Sequence, residues 1–356
     1  METIITSYIP NAVNNPYALN VRRIIQQQGY LTVPIKKCLT NPRVFCKCRI
    51  FNFNWYDKAA SFSEYIRKKL LITMLSLSGK KIVYTLHNKQ PHNQLNSKYS
   101  LRIMRYMCKK ADAIVGLCPD TKQVLSDLDP MSIQKLHIIP HPNYVGNYDL
   151  TKGESLRAEY GISDADMVFL FLGFISPYKN VELLIDTFKK IKNRNVKLLI
   201  AGNPSSISYK DQLIERMSGS SNIICDFRYI PDDEIEKFYN TADIVVLPYH
   251  KTSSLNSGAV YLSFSLQKTV ICPDIGTINA LEDHTFVYDY KYEDESEHSK
   301  RLEEVIFQVC ADYEECPEII RKKGMQAYDY VSRKHSDEEI GALYRELYRG
   351  LVEKNH

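Results

Sequence analysis

The 356-residue chain has little of several things that would mark a special class of protein. With 14 Gly and 15 Pro it is no collagen-like or low-complexity chain, and 44% hydrophobic residues exclude intrinsic disorder. Its longest apolar run, LLITMLSLS over 70–78, is well below the ~20 residues needed to cross a bilayer. The opening METIITSYIPNAVNNPY has neither a basic stretch nor an apolar core, so no signal peptide is expected. Nine cysteines occur without a repeated CxxC framework, and Cys46 and Cys48 form a CxC pair with no His at ligand spacing. Reduced thiols in a cytoplasmic protein fit that pattern better than disulfides or a zinc site. No DxD pair lies beside an apolar strand, and no Asp or Glu lies close to the histidines of 81–92, so no metal is expected.

What the chain does have is charge asymmetry. Residues 1–150 hold 21 Lys and Arg against 8 Asp and Glu, whereas the remainder holds 25 against 34. Such a difference suggests two domains with different partners. Basic residues accompany amphipathic stretches at 65–81 and 101–110, which favours an anionic membrane surface over nucleic acid. No nucleic-acid recognition module is present, and exposed aromatics are not interleaved with the basic residues. Ordinary solvated helix faces are the plainer alternative.

Short apolar runs alternate with helical patterns. Strands are predicted over 49–55, 81–88, 112–118, 136–142, 167–174, 196–202, 223–230, 243–249 and 269–276. Helices are predicted up to Gly29 and over 63–78, 98–110, 121–128, 180–192, 209–218, 232–240, 257–266 and 336–354. Continuous apolar strands between helices indicate parallel sheets covered on both faces. The rhythm occurs twice, predicting an α/β chain of two doubly wound, Rossmann-like domains facing each other across a cleft. The expected boundaries are 1–150, 151–335 and a closing helix, 336–356, packed back toward the first domain. In doubly wound sheets, ligands sit beyond the carboxyl ends of the strands, which draws attention to His87, Asn88, His141, the 173–179 turn, Gly202 and 248–250.

Three constellations could carry chemistry. In LGFISPYKN over 172–180, a strand meets Gly173 and then Lys179 at a helix start, where free amides and a full positive charge suit a diphosphate. An exposed lysine at a helix start is the alternative. In TSSLNSGAVYL over 252–262, small residues enter a helix through Ser257 and Gly258, whose amides could cradle phosphate oxygens. Ser257 as a plain N-cap is compatible with that role. In KIVYTLHNKQPH over 81–92, His87 ends a strand and His92 follows in the loop. Either could act as a base or hold a sugar hydroxyl, or His87 could be structural.

Nine segments in this order resemble a known family. They are FNFNWYD (51–57), YTLHNKQPH (84–92), KADAIVGLC (110–118), IPHPNYVGNY (139–148), FLGFISPYKN (171–180), LLIAGNP (198–204), FRYIPDDEI (227–235), ADIVVLPY (242–249) and NSGAVYLSFSLQKTVICPDIG (256–276). The chain resembles bacterial glycosyltransferases of the GT-B fold, group 1 or family-4-like, of the exopolysaccharide and capsule type, including β-mannosyltransferase-like members. The resemblance implies a cytoplasmic or peripheral membrane enzyme moving a sugar from a GDP- or UDP-sugar to a lipid-linked or oligosaccharide acceptor. It implies a nucleotide-sugar co-substrate and no essential metal. Donor contacts would come from Gly173, Lys179, Arg228, Ile230, Ser254, Asn256, Ser257 and Gly258. Asn15, Trp55 and His92 are the candidate acceptor contacts, and His87 is the candidate catalytic residue.

The chain also departs from the family pattern. Many retaining relatives carry Glu-x7-Glu around the donor helix, where Ser254 and Leu262 stand here. Ser176 occupies a position often taken by Arg, leaving Lys179 as the loop's one cation. Both stereochemical outcomes stay open, and the alternative to an enzyme is an inactive GT-B-like partner subunit.

Overall fold

A computed structural model describes residues 5–9, 15–89, 97–151 and 153–353. The chain divides into two compact units. The first combines residues 1–142, 252–256 and 335–356, and the second combines 143–251 and 257–334. The divide thus falls after Pro142 rather than at 150. The reason is local: Asn143 Nδ2 donates to the carbonyl of Val331 (3.0 Å), and the amide of Tyr144 donates to Ser265 Oγ (2.9 Å). Both partners belong to the second unit.

The first unit is a parallel sheet in the order β2-β1-β3-β4-β5-β6. Its strands are β1 (Ile5–Ile9), β2 (Leu31–Val33), β3 (Cys48–Asn54), β4 (Lys81–Leu86), β5 (Ala113–Gly116) and β6 (Leu136–Ile138). The connecting helices are α1 (Pro16–Gln27), α2 (Ile35–Thr40), α3 (Pro42–Lys47), α4 (Phe62–Leu77), α5 (Ser97–Lys110) and α6 (Thr121–Leu128). The last helix of the chain, α14 (Asp337–Glu353), also packs in this unit, against α1. Tyr344, Leu347 and Tyr348 of α14 join Val21, Ile24 and Ile25 of α1 in one apolar cluster. Asn52 Nδ2 donates to the hydroxyl of Tyr348 at 2.7 Å, and Arg23 bridges to Asp337.

The second unit is a parallel sheet in the order β12-β11-β10-β7-β8-β9. It comprises β7 (Met167–Leu172), α7 (Val181–Lys190), β8 (Val196–Ala201), α8 (Ile207–Met217), β9 (Ile223–Asp226), α9 (Ile235–Thr241) and β10 (Ile244–Val246). There follow α10 (Gly258–Ser265), β11 (Val270–Pro273), α11 (Gly276–Asn279), β12 (Tyr288–Tyr290), α12 (Glu295–Glu315) and α13 (Glu318–Lys334). All six residues of β7 are buried, as a central strand covered on both faces requires. The ring of Phe169 meets Phe188 of α7 edge-on, 5.1 Å between centroids, and truncating a ring packed this way costs about 3–5 kcal/mol.

Candidate functional site

Strand order reverses once in each unit, and such reversals open a groove beyond the carboxyl ends of the two flanking strands. In the second unit the reversal lies between β7 and β10. Strand β7 stops at Gly173, whose φ of 138° suits glycine alone. The adjacent strand β8 stops the same way at Gly202 (φ 140°), and a Cβ there would lie 1.9 Å from the carbonyl oxygen of Gly173. The two turns therefore touch backbone to backbone. After Gly173 a 3-10 turn, Pro177–Lys179, delivers the lysine, and Asn180 in the left-handed region (φ 53°) starts α7. The loop following β10 is tied to this turn, because the amide of His250 donates to the carbonyl of Tyr178 (3.0 Å).

Lys179 folds back over Gly173, so that a Cβ on that glycine would meet its Nζ at 3.5 Å. The ammonium lies 5.3 Å from the ring centroid of Tyr249 and 5.8 Å from that of Phe171. Among the described residues no carboxylate pairs with it. Lys179 keeps partial exposure at the surface, but the surrounding protein desolvates it and draws its pKa down to about 8. A desolvated, unpaired ammonium is costly, and an anion brought against it recovers that cost.

Tyr249 stands between the lysine and the second candidate: burial raises the pKa of its hydroxyl, and the nearby side chain of Ser257 acts against that rise. Ser257 is the N-cap of α10: its Oγ accepts from the amide of Val260 (3.4 Å), and its own amide donates to Thr277 Oγ1 (2.8 Å). The serine side chain is thus occupied in the cap. The amides of Gly258 and Ala259, in the first turn, have no acceptor within the helix. Arg228 is placed differently. Its guanidinium bridges Asp226 (3.0 Å) and Glu234 (2.5 Å), two carboxylates that neutralise it and push its pKa up, first through the Glu234 bond. Ile230 packs against the apolar core beside that loop.

In the first unit the reversal lies between β1 and β3. Asn15 caps α1 there, its Oδ1 accepting from the amide of Ala18 (3.1 Å). Trp55 follows β3 directly, with φ at 50°, a strained value for a bulky residue and one that often marks a functional site. Its indole stacks on the imidazole of His87, 4.2 Å between centroids and 15° between planes. His87 follows β4, with Nε2 2.8 Å from Asn54 Oδ1 and the edge of Tyr17 at 5.2 Å. Because an amide oxygen only accepts, this contact places the proton on Nε2 and the lone pair on Nδ1. Burial, then the nearby His141 and Lys58, lowers the His87 pKa to about 3, so the ring is neutral.

The segment 252–256 groups with this unit. Asn256 Nδ2 donates to the carbonyl of His87 (3.2 Å), and Ser254 is buried beside it. His92 lies outside the described residues. The sequence reading missed Asn54, Tyr17 and Tyr249. The motif FNFNWYD contained Asn54, but only strand register shows which residue its amide meets. Among the described residues no three His, Cys, Asp or Glu side chains converge as metal ligands.

Comparison with known proteins agrees with this architecture. Residues 153–278 match the glycosyl transferases group 1. Over 279 residues the chain is 23% identical to the GDP-mannose:glycolipid 4-beta-D-mannosyltransferase of Xanthomonas campestris pv. campestris, covering 74% of this chain and 71% of that protein. It is 26% identical over 121 residues to the lipopolysaccharide 1,2-N-acetylglucosaminetransferase of Salmonella typhimurium, covering 31% of each. Among solved structures, the sucrose-phosphate synthase of Thermosynechococcus elongatus superposes with a TM-score of 0.72 at 13% identity, over 99% of this chain and 100% of that one. Anabaena HepE in complex with UDP-glucose gives 0.70 at 12% identity, over 98% and 99%. Residues 153–278 thus carry a glycosyl transferases group 1 domain, and the chain has the fold of the GT-B glycosyltransferases.

Proposed function

We propose that the enzyme transfers a hexosyl unit from a GDP- or UDP-sugar to a lipid-linked glycan during assembly of a surface polysaccharide of the capsule or exopolysaccharide type. It would work at the cytoplasmic face of the membrane as a peripheral protein. The observation that carries the donor half of this reading is the unpaired, desolvated ammonium of Lys179 against the Tyr249 ring, at the reversal between β7 and β10. A nucleoside diphosphate is the leaving group whose growing charge that arrangement would stabilise, through Lys179 and the Gly258 and Ala259 amides. With that charge met by the chain itself, the scheme calls for no resident metal. The glycolipid acceptor of the Xanthomonas relative supports the acceptor half.

Asn15, Trp55 and His87 would receive the acceptor in the first unit. The Nδ1 lone pair of His87 could accept a hydrogen bond from the attacking hydroxyl. A ring with so low a pKa holds the proton poorly at rest, so its part as a base would fall at the transition state rather than before it. A thermal-shift screen with GDP, UDP and their sugars tests the reading. A ligand at a hundredfold its Kd stabilises by about 2.7 kcal/mol. One of these nucleotides should raise the melting temperature, whereas silence across the set would favour an inactive partner subunit.

A further inference from the structure

Helix α4 presents an unusual outer face. Its buried residues, Ile72 and Leu75, point inward as in any amphipathic helix. The solvent side is apolar too: Phe62, Leu70, Met74 and Leu77 are 56%, 63%, 41% and 84% exposed. With Arg67, the last three fall at helical spacing along one line, where a surface helix ordinarily carries polar residues. Beside this line, Phe62, Tyr65 and Tyr99 cluster at 6.0–6.3 Å between centroids. Helix α5 lies alongside, joined by Thr73 Oγ1 and the Tyr106 hydroxyl at 2.6 Å.

The charge around this face is of one sign. Residues 62–110 contain eleven Lys and Arg but a single acid, Glu64. That carboxylate is spent, bridging Lys68 at 3.1 Å and accepting from the amide of Ala60. Arg67 on α4 and Lys98, Arg102, Arg105, Lys109 and Lys110 on α5 are exposed. Lys69 and Lys98 lie over the rings of Tyr106 and Tyr99, at 5.4 and 5.0 Å.

We infer that the outer face of α4 and α5 is a docking surface for an anionic lipid bilayer, with Leu70, Met74 and Leu77 entering the headgroup boundary. Each basic residue near an anionic leaflet adds to the attraction, and tyrosines prefer the interface. Leucines in a basic helix face supply the apolar half of such binding. A second copy of the chain fits poorly, because pairing two such faces would oppose one set of cations to another. A nucleic acid offers nothing for the leucines and methionine to bury against. The inference deepens the reading of a membrane-borne acceptor and rests on it for its purpose, but its test involves no nucleotide.

The test is co-sedimentation of the full chain with vesicles of phosphatidylcholine alone and of equimolar phosphatidylcholine and phosphatidylglycerol. The protein should pellet with the mixed vesicles, much less with the neutral ones, and less as salt is raised. Leu70→Ser with Leu77→Ser should weaken binding by about tenfold or more, since both leucines lose the apolar surface they would withdraw from water. Arg102→Glu with Arg105→Glu should weaken it as well. All four side chains are outside the core, so melting temperature and the nucleotide shift should be unchanged in both double variants. Binding that ignores lipid charge, variants that bind like the parent, or elution of the parent as a dimer would overturn the inference. A nucleotide shift without vesicle binding would refute this surface alone and leave the donor reading standing.

Discussion

The ammonium of Lys179 lies 5.3 Å from the ring centroid of Tyr249, and the side chain of Ser257, the cap of α10, lowers the pKa of that ring's hydroxyl against the rise that burial causes. One aromatic side chain thus faces both a cation from the loop after β7 and a helix start reached from β10. The strand reversal places those two loops next to each other, although 78 positions separate the residues in sequence.

Without an anion this arrangement is a cost to the folded protein. Replacing Lys179 by Met keeps the length of the side chain and removes a desolvated charge. The Lys179→Met protein should therefore be more stable than the parent in the absence of nucleotide, measured as a higher urea midpoint at pH 7. The sign follows from the pKa. The folded protein releases this proton near pH 8 and the unfolded chain only near the ordinary lysine value of 10.5, so the parent gains stability from Lys179 as pH rises between them. The variant should lack that rise. A variant less stable than the parent at pH 7 would mean that an undetected partner already neutralises the lysine.

Gly202 makes a second prediction, independent of charge. A methyl group there meets the Gly173 carbonyl at 1.9 Å, at a φ that side chains avoid. Gly202→Ala should cost about 3 kcal/mol or more, because strain and a backbone clash add, and equilibrium urea unfolding will show it. It should also displace the Lys179 turn and reduce nucleotide binding in the folded fraction.

His87 predicts a split between binding and chemistry. His87→Ala should leave the nucleotide thermal shift intact while lowering transfer by about a hundredfold or more, the usual size of a general-base contribution. Loss of both together would make the histidine a structural residue. The imidazole resonances of His87 should not titrate between pH 5 and pH 8, since its pKa is held at about 3. Asn54→Asp puts a carboxylate against Nε2 and should move that titration upward, toward neutrality. A parent titration near pH 6.5 would contradict the packing described for Trp55, Asn54 and His87.

The same low values bear on acid stability. His141 is buried with Nδ1 against the Pro142 carbonyl, and burial holds its pKa at about 3. The unfolded chain protonates both rings near pH 6.5, so their unfolded forms bind more protons between about 3 and 6.5. Stability is therefore lost as pH falls through that window, and melting temperatures at pH 7, 6, 5 and 4 should fall steadily.

The sheets were legible because their central strands are unbroken apolar runs, such as MVFLFL in β7 and AIVG in β5. Strand β1 escaped the reading because Thr6 and Ser7 are buried polar residues within it, and β2 and β12 because three residues give no period. Helix α12 buries only His298, Leu302, Ile306 and Val309 in 21 residues, too sparse a stripe among its acids to stand out. In the site, Lys179 and Ser257 were legible from a strand, a small-residue turn and a helix start in succession. The pairing of Arg228 could have been anticipated, with Asp226 two residues before it and Glu234 six after. The contact of Asn54 with His87 could not, because it crosses from β3 to the end of β4 and depends on their register.

Whether Lys179 binds a diphosphate decides the function proposed for this protein. Calorimetric titration of GDP and of UDP into the parent and into Lys179→Ala, at pH 7 and again at pH 9, measures this. At pH 7 one nucleotide should bind the parent, and the substitution should weaken it about 10- to 100-fold, the worth of a hydrogen bond to a charged group. At pH 9 the parent should lose much of its advantage as the lysine deprotonates. Equal affinities for parent and variant at pH 7 would contradict the account.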